Sequence, residues 1–293
     1  MHRTAIAIAL VFFAASPIAQ QAPGSRLLIS ARELAAQVKD PSLVVLHVAE
    51  DMASYTQGHV PGARFVRYSS IAADGSDDLG AELPPAATLK DLFEGVGVSD
   101  TSRVVIYGHT VLASRLFFTL DASGHPRVAL LDGGLKAWEA EGQPVDSGPD
   151  RRPAAQAASF TPRVNPQRMA TAEWIRANAG KISLVDVRPD PEFTGSDGGM
   201  GGAHAPGHIE GAQQLPWNAL VGADGRFLPE EQLRARLQAA GAGTAKPVVP
   251  YCMIGMRASV VYFVARHLGL DARLYDGSIV DWSRRRLPTK VGR

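Results

Sequence analysis

The stretch Pro247-Val-Val-Pro-Tyr-Cys-Met-Ile-Gly-Met-Arg-Ala-Ser259 joins a short apolar run to a glycine-containing turn. Its first five residues are typical of a buried strand, and apolar residues at helical spacing follow the turn. Cys252 is the only cysteine in the chain and lies where the strand gives way to the turn. The stretch therefore predicts a strand-turn-helix unit that carries a thiol at its turn.

A thiol in this position is a candidate nucleophile. The backbone N–H groups of the turn and the positive end of the following helix dipole would face the sulfur. Arg257 adds a full positive charge nearby. Both effects favour the thiolate, which is the reactive form of cysteine. A free cysteine can also be a small buried apolar residue, but Gly255 and Arg257 beside it favour a functional role.

Two segments of the chain match each other at a constant offset of 144 residues. The matched pairs are Leu130 and Leu274, Asp132 and Asp276, Gly133 and Gly277, Trp138 and Trp282, Val104 and Val248, Val105 and Val249, and Tyr107 and Tyr251. A further pair, Gly58–Ala63 and Gly207–Ala212, matches at an offset of 149. This period is far too long for a solenoid, so the sequence predicts a duplicated domain.

We expect domain 1 over residues 26–147, a linker over 148–165 and domain 2 over 166–293. The linker prediction rests on a stretch that is rich in Pro and Ala and lacks apolar periodicity.

Within each half, short β-branched runs alternate with helical patterns. This alternation predicts an α/β fold, in which each half has a mainly parallel sheet with helices on both faces. Ser30 and Glu33 have the spacing of a capping box that opens a helix. The expected strands are Leu43–Val48, Arg103–Tyr107, Val128–Leu131, Ile182–Val187, Val248–Tyr251 and Ala272–Tyr275. Ligands bind such sheets beyond the carboxyl ends of the strands, which is where Cys252 is expected to lie.

Composition and the amino terminus restrict partners and location. The chain has 30 Lys and Arg residues against 29 Asp and Glu, so no global field attracts nucleic acid or an anionic membrane.

A basic start, Met1–Thr4, precedes an apolar run of eleven residues, Ala5–Ala15. That run is shorter than the ~20 residues that span a bilayer. It predicts a signal peptide over residues 1–22, a periplasmic or secreted location, and no stable membrane span after cleavage.

Several motifs in this order resemble the tandem-domain rhodaneses, which are thiosulfate sulfurtransferases. They are the paired Gly-His-Ile/Val-x-Gly-Ala segments, Asp186-Val-Arg188, Tyr251–Ser259 and Asp276–Trp282. The resemblance implies two rhodanese-like domains, of which the second is catalytic and the first inactive. The first half fits this description, because Gly108 stands in the place of Cys252 and His47-Val-Ala49 in the place of Asp186-Val-Arg188.

The resemblance also implies a reaction and a site. Cys252 would take the outer sulfur of thiosulfate as a persulfide and pass it to cyanide or another thiophilic acceptor. Arg188 and Arg257 would bind the donor, and the active-site loop would comprise Met253, Ile254, Gly255 and Met256. No metal or organic cofactor is implied, and the partners are a small-molecule sulfur donor and acceptor. The physiological donor and acceptor and the oligomeric state are open at this point.

Other interpretations are kept alongside this one. A 3-mercaptopyruvate sulfurtransferase shares the architecture and the persulfide, although Met253, Ile254, Met256 and Arg257 favour thiosulfate. A non-catalytic periplasmic sulfide carrier or sensor would use the same thiol without turnover. A cysteine phosphatase needs five residues between Cys and Arg, and here four intervene.

Two further residue types have structural alternatives. Arg188 could pair with Asp186 or Asp190 instead of contacting the donor. His59 and His208 occupy equivalent places in both halves, including the half without a thiol, which favours a structural role for both.

Overall fold

The computed structural model of the protein describes residues 26–72, 82–149, 158–197 and 204–293. The predicted signal peptide and the central part of the predicted linker lie outside the described residues. No helix among the described residues is long and apolar enough to cross a membrane.

The first half alternates strands and helices along the chain. Its strands are β1 (Leu28–Ile29), β2 (Leu43–Ala49), β3 (Arg64–Arg67), β4 (Arg103–Gly108) and β5 (Val128–Leu131). Its helices are α1 (Ala31–Ala35), α2 (Met52–Gln57), α3 (Ala86–Gly95), α4 (Thr110–Ala122) and α5 (Gly134–Ala140). The predicted capping box is confirmed, because the Ser30 hydroxyl accepts from the Glu33 N–H and the Glu33 carboxylate accepts from the Ser30 N–H.

The second half repeats this pattern. Its strands are β6 (Met169–Ala170), β7 (Ser183–Asp186), β8 (His208–Ile209), β9 (Gln213–Gln214), β10 (Val248–Tyr251), β11 (Leu274–Tyr275) and β12 (Thr289–Lys290). Its helices are α6 (Ala172–Ala177), α7 (Asp190–Thr194), α8 (Glu230–Ala239), α9 (Ala258–His267) and α10 (Ser278–Arg284). The six strands predicted from the sequence are all present, with ends that differ by at most two residues.

The two halves have the same sheet topology. In the first half the strand order is β1-β5-β4-β2-β3, and every pairing is parallel. In the second half β9, β7 and β10 pair in parallel, a parallel bridge between Val248 and Ala272 continues the sheet, and β11 pairs with β6. The order β6-β11-β10-β7-β9 therefore reproduces the first sheet, and the predicted duplicated α/β fold is confirmed.

Helices cover both faces of each sheet. In the first half, α3 and α4 pack on one face, while α1 and α5 pack on the other. In the second half, α8 and α9 cover the face that corresponds to α3 and α4, while α6 and α10 cover the opposite face. The α3/α4 and α8/α9 layers share one apolar core, so the two halves are joined by continuous packing.

The contact between α4 and α9 is aromatic at its centre. The Phe118 and Tyr262 rings meet edge to face with centroids 5.1 Å apart, and Phe117 and Phe263 do the same at 4.9 Å. Such pairs contribute about 0.5–1.5 kcal/mol each beyond the area that they bury. Phe118 and Tyr262 are separated by 144 residues and so are repeat equivalents of each other. The halves therefore dock about an approximate twofold axis that passes near this pair.

The same symmetry governs two contacts between the halves. The Leu83 N–H donates to Asp276 Oδ2 at 2.8 Å, and the Phe227 N–H donates to Asp132 Oδ1 at 2.9 Å. Leu83 and Phe227 are also separated by 144 residues. Each half thus donates one hydrogen bond from a loop amide to an aspartate at the end of the other half's sheet.

Candidate active site

Cys252 follows β10 directly and is fully buried. The loop of residues 252–257 then leads into α9, whose residues are buried almost throughout because the helix lies between its own sheet and α4. The structure thus places the thiol at the carboxyl end of a central parallel strand and just before a helix, as the sequence predicts.

Ser278, the first residue of α10, organises this loop. Its hydroxyl accepts from the N–H groups of Cys252 at 3.1 Å and Gly255 at 3.0 Å, and it donates to the Tyr275 carbonyl at 2.8 Å. Ser278 has a φ of 53°, and its repeat equivalent Gly134 has a φ of 58°. A left-handed backbone is strained for a serine. The three hydrogen bonds of the Ser278 hydroxyl stabilise this conformation, and they also fix the positions of Cys252 and Gly255.

Sequence reasoning missed Ser278. The signal was present, because the Asp-Gly motif recurs in both halves but is followed by Gly134 in the half without a thiol and by Ser278 in the half with the thiol.

Gly255 brings the loop against Asp276. Its φ is +81°, and a Cβ there would lie 2.6 Å from the Asp276 carbonyl oxygen and closer still to the Asp276 carboxylate. The position therefore requires glycine both for conformation and for space. On the other side of the loop, the Ser259 hydroxyl donates to the Gly255 carbonyl at 3.0 Å.

Some backbone N–H groups of the loop are hydrogen-bonded within the protein, and others are free. Those of Cys252 and Gly255 bind Ser278, whereas those of Met253, Ile254, Met256 and Arg257 have no acceptor among the described residues. Free backbone amides in a loop that carries a thiol favour the binding of an anion there. Four of the loop amides are thus free to bind an anion, whereas the Gly255 amide stabilises the loop itself.

Arg257 lies at this loop with its side chain one quarter exposed. Its guanidinium donates to both carboxylate oxygens of Glu192 at 2.9 Å. Burial acts to lower the pKa of Arg257, but the hydrogen bonds to Glu192 and the charge and hydrogen bonding of Cys252 raise it above its usual value. Arg257 is therefore a fixed cation beside the thiol, and Glu192 is a positioning residue that sequence reasoning missed.

Arg188 lies inside the protein. Its guanidinium donates to Asp186 Oδ1 at 2.9 Å and Oδ2 at 2.6 Å and to the Gly207 carbonyl at 2.8 Å, and it is fully buried over the Tyr251 ring. This is the pairing with Asp186 that the sequence left open as an alternative. Its Nη1 atom is buried without a hydrogen-bond partner among the described residues. Donor contact by Arg188 stays a prediction, and Nη1 is the atom available for it.

The first half contributes Arg115 to this site, which sequence reasoning also missed. Arg115 lies in α4, is fully buried, and donates to both carboxylate oxygens of Asp276, with 3.2 Å between Nη2 and Oδ2. Because Asp276 contacts Gly255, the Arg115–Asp276 ion pair connects the first half to the loop of the thiol.

Tyr68 is a second contribution of the first half. Burial raises the pKa of Tyr68; the Arg115 charge opposes this shift, while the charges of Asp276 and Cys252 add to it. The hydroxyl therefore lies within electrostatic reach of both the interdomain ion pair and the thiol.

The histidines that recur in the two halves make equivalent contacts. His59 stacks on Tyr55 and His208 on Phe193, each with centroids 3.9 Å apart. Each Nδ1 also contacts the carbonyl of the same partner, at 2.8 and 2.9 Å. The described residues contain no group of three or more His, Cys, Asp and Glu side chains that could hold a metal ion.

Comparison with known proteins identifies the class to which this fold and site belong. The model of the rhodanese-like domain matches residues 30–141 and again residues 171–285. The chain therefore belongs to the rhodanese-like family, as a tandem member with two such domains.

Two curated relatives illustrate what the family contains. "Putative thiosulfate sulfurtransferase 1" of Mycobacterium bovis is 31% identical over 267 residues, which are 87% of this chain and 94% of the relative. "Sulfur carrier protein TtuD" of Thermus thermophilus is 32% identical over 268 residues, which are 87% of this chain and 93% of the relative. These relationships support sulfurtransferase activity in general.

Solved structures agree on the fold. A crystal structure of YnjE has a TM-score of 0.82 at 24% identity, covering 94% of this chain and 70% of that chain. The anaerobic ergothioneine biosynthesis enzyme from Chlorobium limicola has a TM-score of 0.82 at 21% identity, covering 92% and 71%. At these identities the likeness extends to the fold alone.

Proposed function

We propose that the protein is a thiosulfate sulfurtransferase that transfers sulfane sulfur to cyanide or another thiophilic acceptor through a persulfide on Cys252. The observation that carries this proposal is the loop of residues 252–257, in which a buried thiol, four free amides and the Arg257 cation lie together. Free amides and a cation beside the thiol would stabilise the anionic terminal sulfur of a persulfide after transfer.

The chemistry proceeds in two half-reactions. The Cys252 thiolate attacks the outer sulfur of thiosulfate, the S–S bond of the donor breaks, and sulfite leaves with the bonding electron pair. The acceptor then attacks the terminal sulfur of the persulfide, and the Cys252 thiolate leaves; with cyanide the product is thiocyanate. Covalent transfer of this kind gives ping-pong kinetics.

Arg257 provides the charge for the donor's oxyanion end. The Arg257 guanidinium is hydrogen-bonded to both carboxylate oxygens of Glu192, so its orientation is fixed before the donor binds. Such preorganisation reduces the entropy that is lost on binding. Arg188 would add a contact through Nη1 from the interior.

The first test of this proposal is the Cys252→Ala variant. The parent should form thiocyanate from thiosulfate and cyanide, and the variant should form none while it unfolds at an unchanged urea midpoint. Mass spectrometry of the parent after thiosulfate alone should show one added sulfur atom. Normal activity in Cys252→Ala would overturn the mechanism.

Two alternatives are separated by further assays on the same protein. A higher kcat/KM for 3-mercaptopyruvate than for thiosulfate, measured side by side, would assign the site to that donor. Since one relative is named a sulfur carrier, stoichiometric persulfide formation without multiple turnover to cyanide or any thiol would support a carrier instead of an enzyme.

The location is part of the proposal. The apolar run near the amino terminus supports export and a periplasmic or secreted site of action. Fractionation of cells that express the full chain and a chain lacking residues 1–22 tests this. Equal retention of both forms in the cytoplasm would contradict it.

A further inference from the structure

Tyr68 is the first residue of a short 3₁₀ turn in the first half, Tyr68–Ser70. The second half has the same kind of turn, and its first residue is Trp217. The two aromatic residues are separated by 149 residues, which is the offset at which Gly58–Ala63 matches Gly207–Ala212. Tyr68 and Trp217 are therefore repeat equivalents, and the approximate twofold axis relates their surroundings.

Trp217 lies beside the loop of the first half that matches the loop of the thiol. Its ring meets the His109 ring edge to face at a centroid distance of 6.1 Å, and both residues line one cavity together with Gly108. Gly108 is the repeat equivalent of Cys252, and His109 follows it directly. The twofold relation thus places Tyr68 of the first half beside the loop that begins at Cys252.

Contacts around Tyr68 agree with this placement. Tyr68 and Met256, a residue of the loop, are both partly buried against the apolar core that the two halves share. Asp276 lies against Gly255 of the loop, and the Leu83 N–H of the first half donates to Asp276 at 2.8 Å. Two segments of the first half, at Tyr68 and at Leu83, therefore border the loop of the thiol.

The Tyr68 hydroxyl is free to bind a ligand. It has no hydrogen-bond partner among the described residues, and it is not one of their fully enclosed polar atoms. The chain has six tyrosines, and the hydroxyls of the other five all form hydrogen bonds within the protein. Tyr68 is therefore the one tyrosine whose ring packs on the core while its hydroxyl is uncommitted.

This hydroxyl is suited to donate to an anion. Burial raises the pKa of Tyr68; the Arg115 charge opposes this shift, and the charges of Glu50, Asp276 and Cys252 add to it. The phenol therefore stays protonated at neutral pH and keeps its O–H donor. Hydrogen bonds to an ionised acceptor are roughly twice as strong as those between neutral groups. The contribution of Cys252 also agrees with the position of this hydroxyl near the thiol.

We infer that the Tyr68 hydroxyl donates a hydrogen bond to an oxygen at the sulfonate end of thiosulfate while Cys252 attacks the outer sulfur. Arg257 binds the same end of the donor from the second half, so thiosulfate is held between the two halves. The identity of the donor in this inference rests on the proposed function. The first half then takes a direct part in donor binding, in addition to its support of the loop through Arg115.

The two half-reactions separate this role from a structural one. In ping-pong kinetics, kcat/KM for thiosulfate reports the steps up to sulfite release, and kcat/KM for cyanide reports the steps that follow. Tyr68→Phe keeps the ring and its packing but removes the donor. It should lower kcat/KM for thiosulfate roughly tenfold or more, as expected for a lost hydrogen bond to a charged group. Its kcat/KM for cyanide and its urea midpoint should be unchanged.

Trp217→Phe is the matched control, because it changes the equivalent residue beside the loop without a thiol. It should leave both kinetic constants at their parental values. An unchanged kcat/KM for thiosulfate in Tyr68→Phe would remove this hydroxyl from the donor site. Equal losses in the thiosulfate and cyanide constants would show a structural role instead. Either result would overturn the inference.

A binding measurement distinguishes this inference from the proposed function. Cys252→Ala cannot accept sulfur, so thiosulfate binding to it is followed by NMR of isotope-labelled tyrosine rings. The Tyr68 signal is assigned by its loss in Cys252→Ala/Tyr68→Phe. Thiosulfate should shift this signal saturably, and calorimetry should show roughly tenfold weaker binding to the double variant.

The two conclusions can then fail separately. The lack of a saturable shift, or equal thiosulfate affinity in the single and double variants, would overturn the role of Tyr68 even in a protein that forms thiocyanate. A saturable shift together with weaker binding to the double variant would uphold that role even if the parent shows no multiple turnover.

Discussion

At the scale of single residues, the contrast between Arg257 and Arg188 is informative. Both are arginines that the resemblance assigns to the donor, but Arg257 is partly exposed beside the thiol, whereas Arg188 is enclosed with Asp186. The sequence identifies an arginine at each position, but the solvent exposure of each side chain depends on which other parts of the fold cover it. The stronger expectation of donor binding therefore belongs to Arg257.

Replacement of Arg257 should separate donor binding from stability. In Arg257→Ala the loss of charge-assisted hydrogen bonds, worth about 1.5–3 kcal/mol, should lower kcat/KM for thiosulfate roughly 10- to 150-fold. Arg257→Lys should fall between the parent and the alanine variant, because lysine keeps the charge but not the planar fork. Steady-state kinetics with thiosulfate as the varied substrate measures both.

Glu192→Gln is the matched control for this prediction. It keeps a hydrogen-bond acceptor near Arg257 but removes the ion pair, so it should reduce kcat/KM less than Arg257→Ala does. An unchanged kcat/KM in Arg257→Ala would remove this side chain from the donor site.

At the scale of elements, the loop of residues 252–257 depends on a backbone shape that only glycine allows at residue 255. Gly255→Ala should lower the free energy of unfolding by about 1–3 kcal/mol for the left-handed backbone alone. Its activity should also fall sharply, since the added Cβ would meet Asp276 and displace the loop.

Gly243→Ala is the control for this prediction, because a Cβ there has no neighbour within 4 Å. Urea unfolding and thiocyanate formation are measured on both, and equal values in the two variants would contradict the role of Gly255.

The matching loop of the first half has a different backbone shape, so the two halves differ there by more than the absence of a thiol. Gly108 has a φ of +154°, and a Cβ there would overlap the Val48 carbonyl oxygen. We therefore expect the double variant Cys252→Ala/Gly108→Cys to show no sulfur transfer. Thiocyanate assays test this, and thiol labelling after denaturation verifies that the new cysteine is present. Measurable turnover would show that the first half retains a competent loop.

The sequence predicts the elements and the thiol better than it predicts the support of the thiol. Strands, capping box and duplicated topology follow from periodicity and internal matches, which are local properties. Glu192 and Arg115 reach the site from positions 65 residues before Arg257 and 161 residues before Asp276. Only the folded chain brings them together, and no local pattern marks them. Ser278 lies between these two cases, because no local pattern marks it but comparison of the two halves distinguishes it from Gly134.

At the scale of the whole molecule, the first half supports the loop of the thiol in the second half through Arg115. Removing one partner of a buried ion pair costs about 3–5 kcal/mol, since the other charge is left without compensation. Arg115→Met should therefore lower the free energy of unfolding by about this amount. It should also reduce kcat in the fraction that remains folded, because Asp276 no longer holds the Gly255 turn.

Arg32→Met is the control for this prediction. Arg32 is largely exposed and pairs with Glu141 at 3.3 Å on the surface, where an ion pair contributes at most about 1 kcal/mol. Urea unfolding and kcat for the two variants are compared at a temperature where both are folded. An Arg115→Met protein with parental kcat and stability would show that the first half does not influence the loop.

The reciprocal amide contacts, Leu83 to Asp276 and Phe227 to Asp132, give the interface between the halves the form of a subunit interface. Contacts in which equivalent residues meet across a twofold axis are the kind that two identical subunits form. The protein thus has the internal organisation of a symmetric homodimer within a single chain. Because the two halves are covalently linked, their association does not depend on protein concentration.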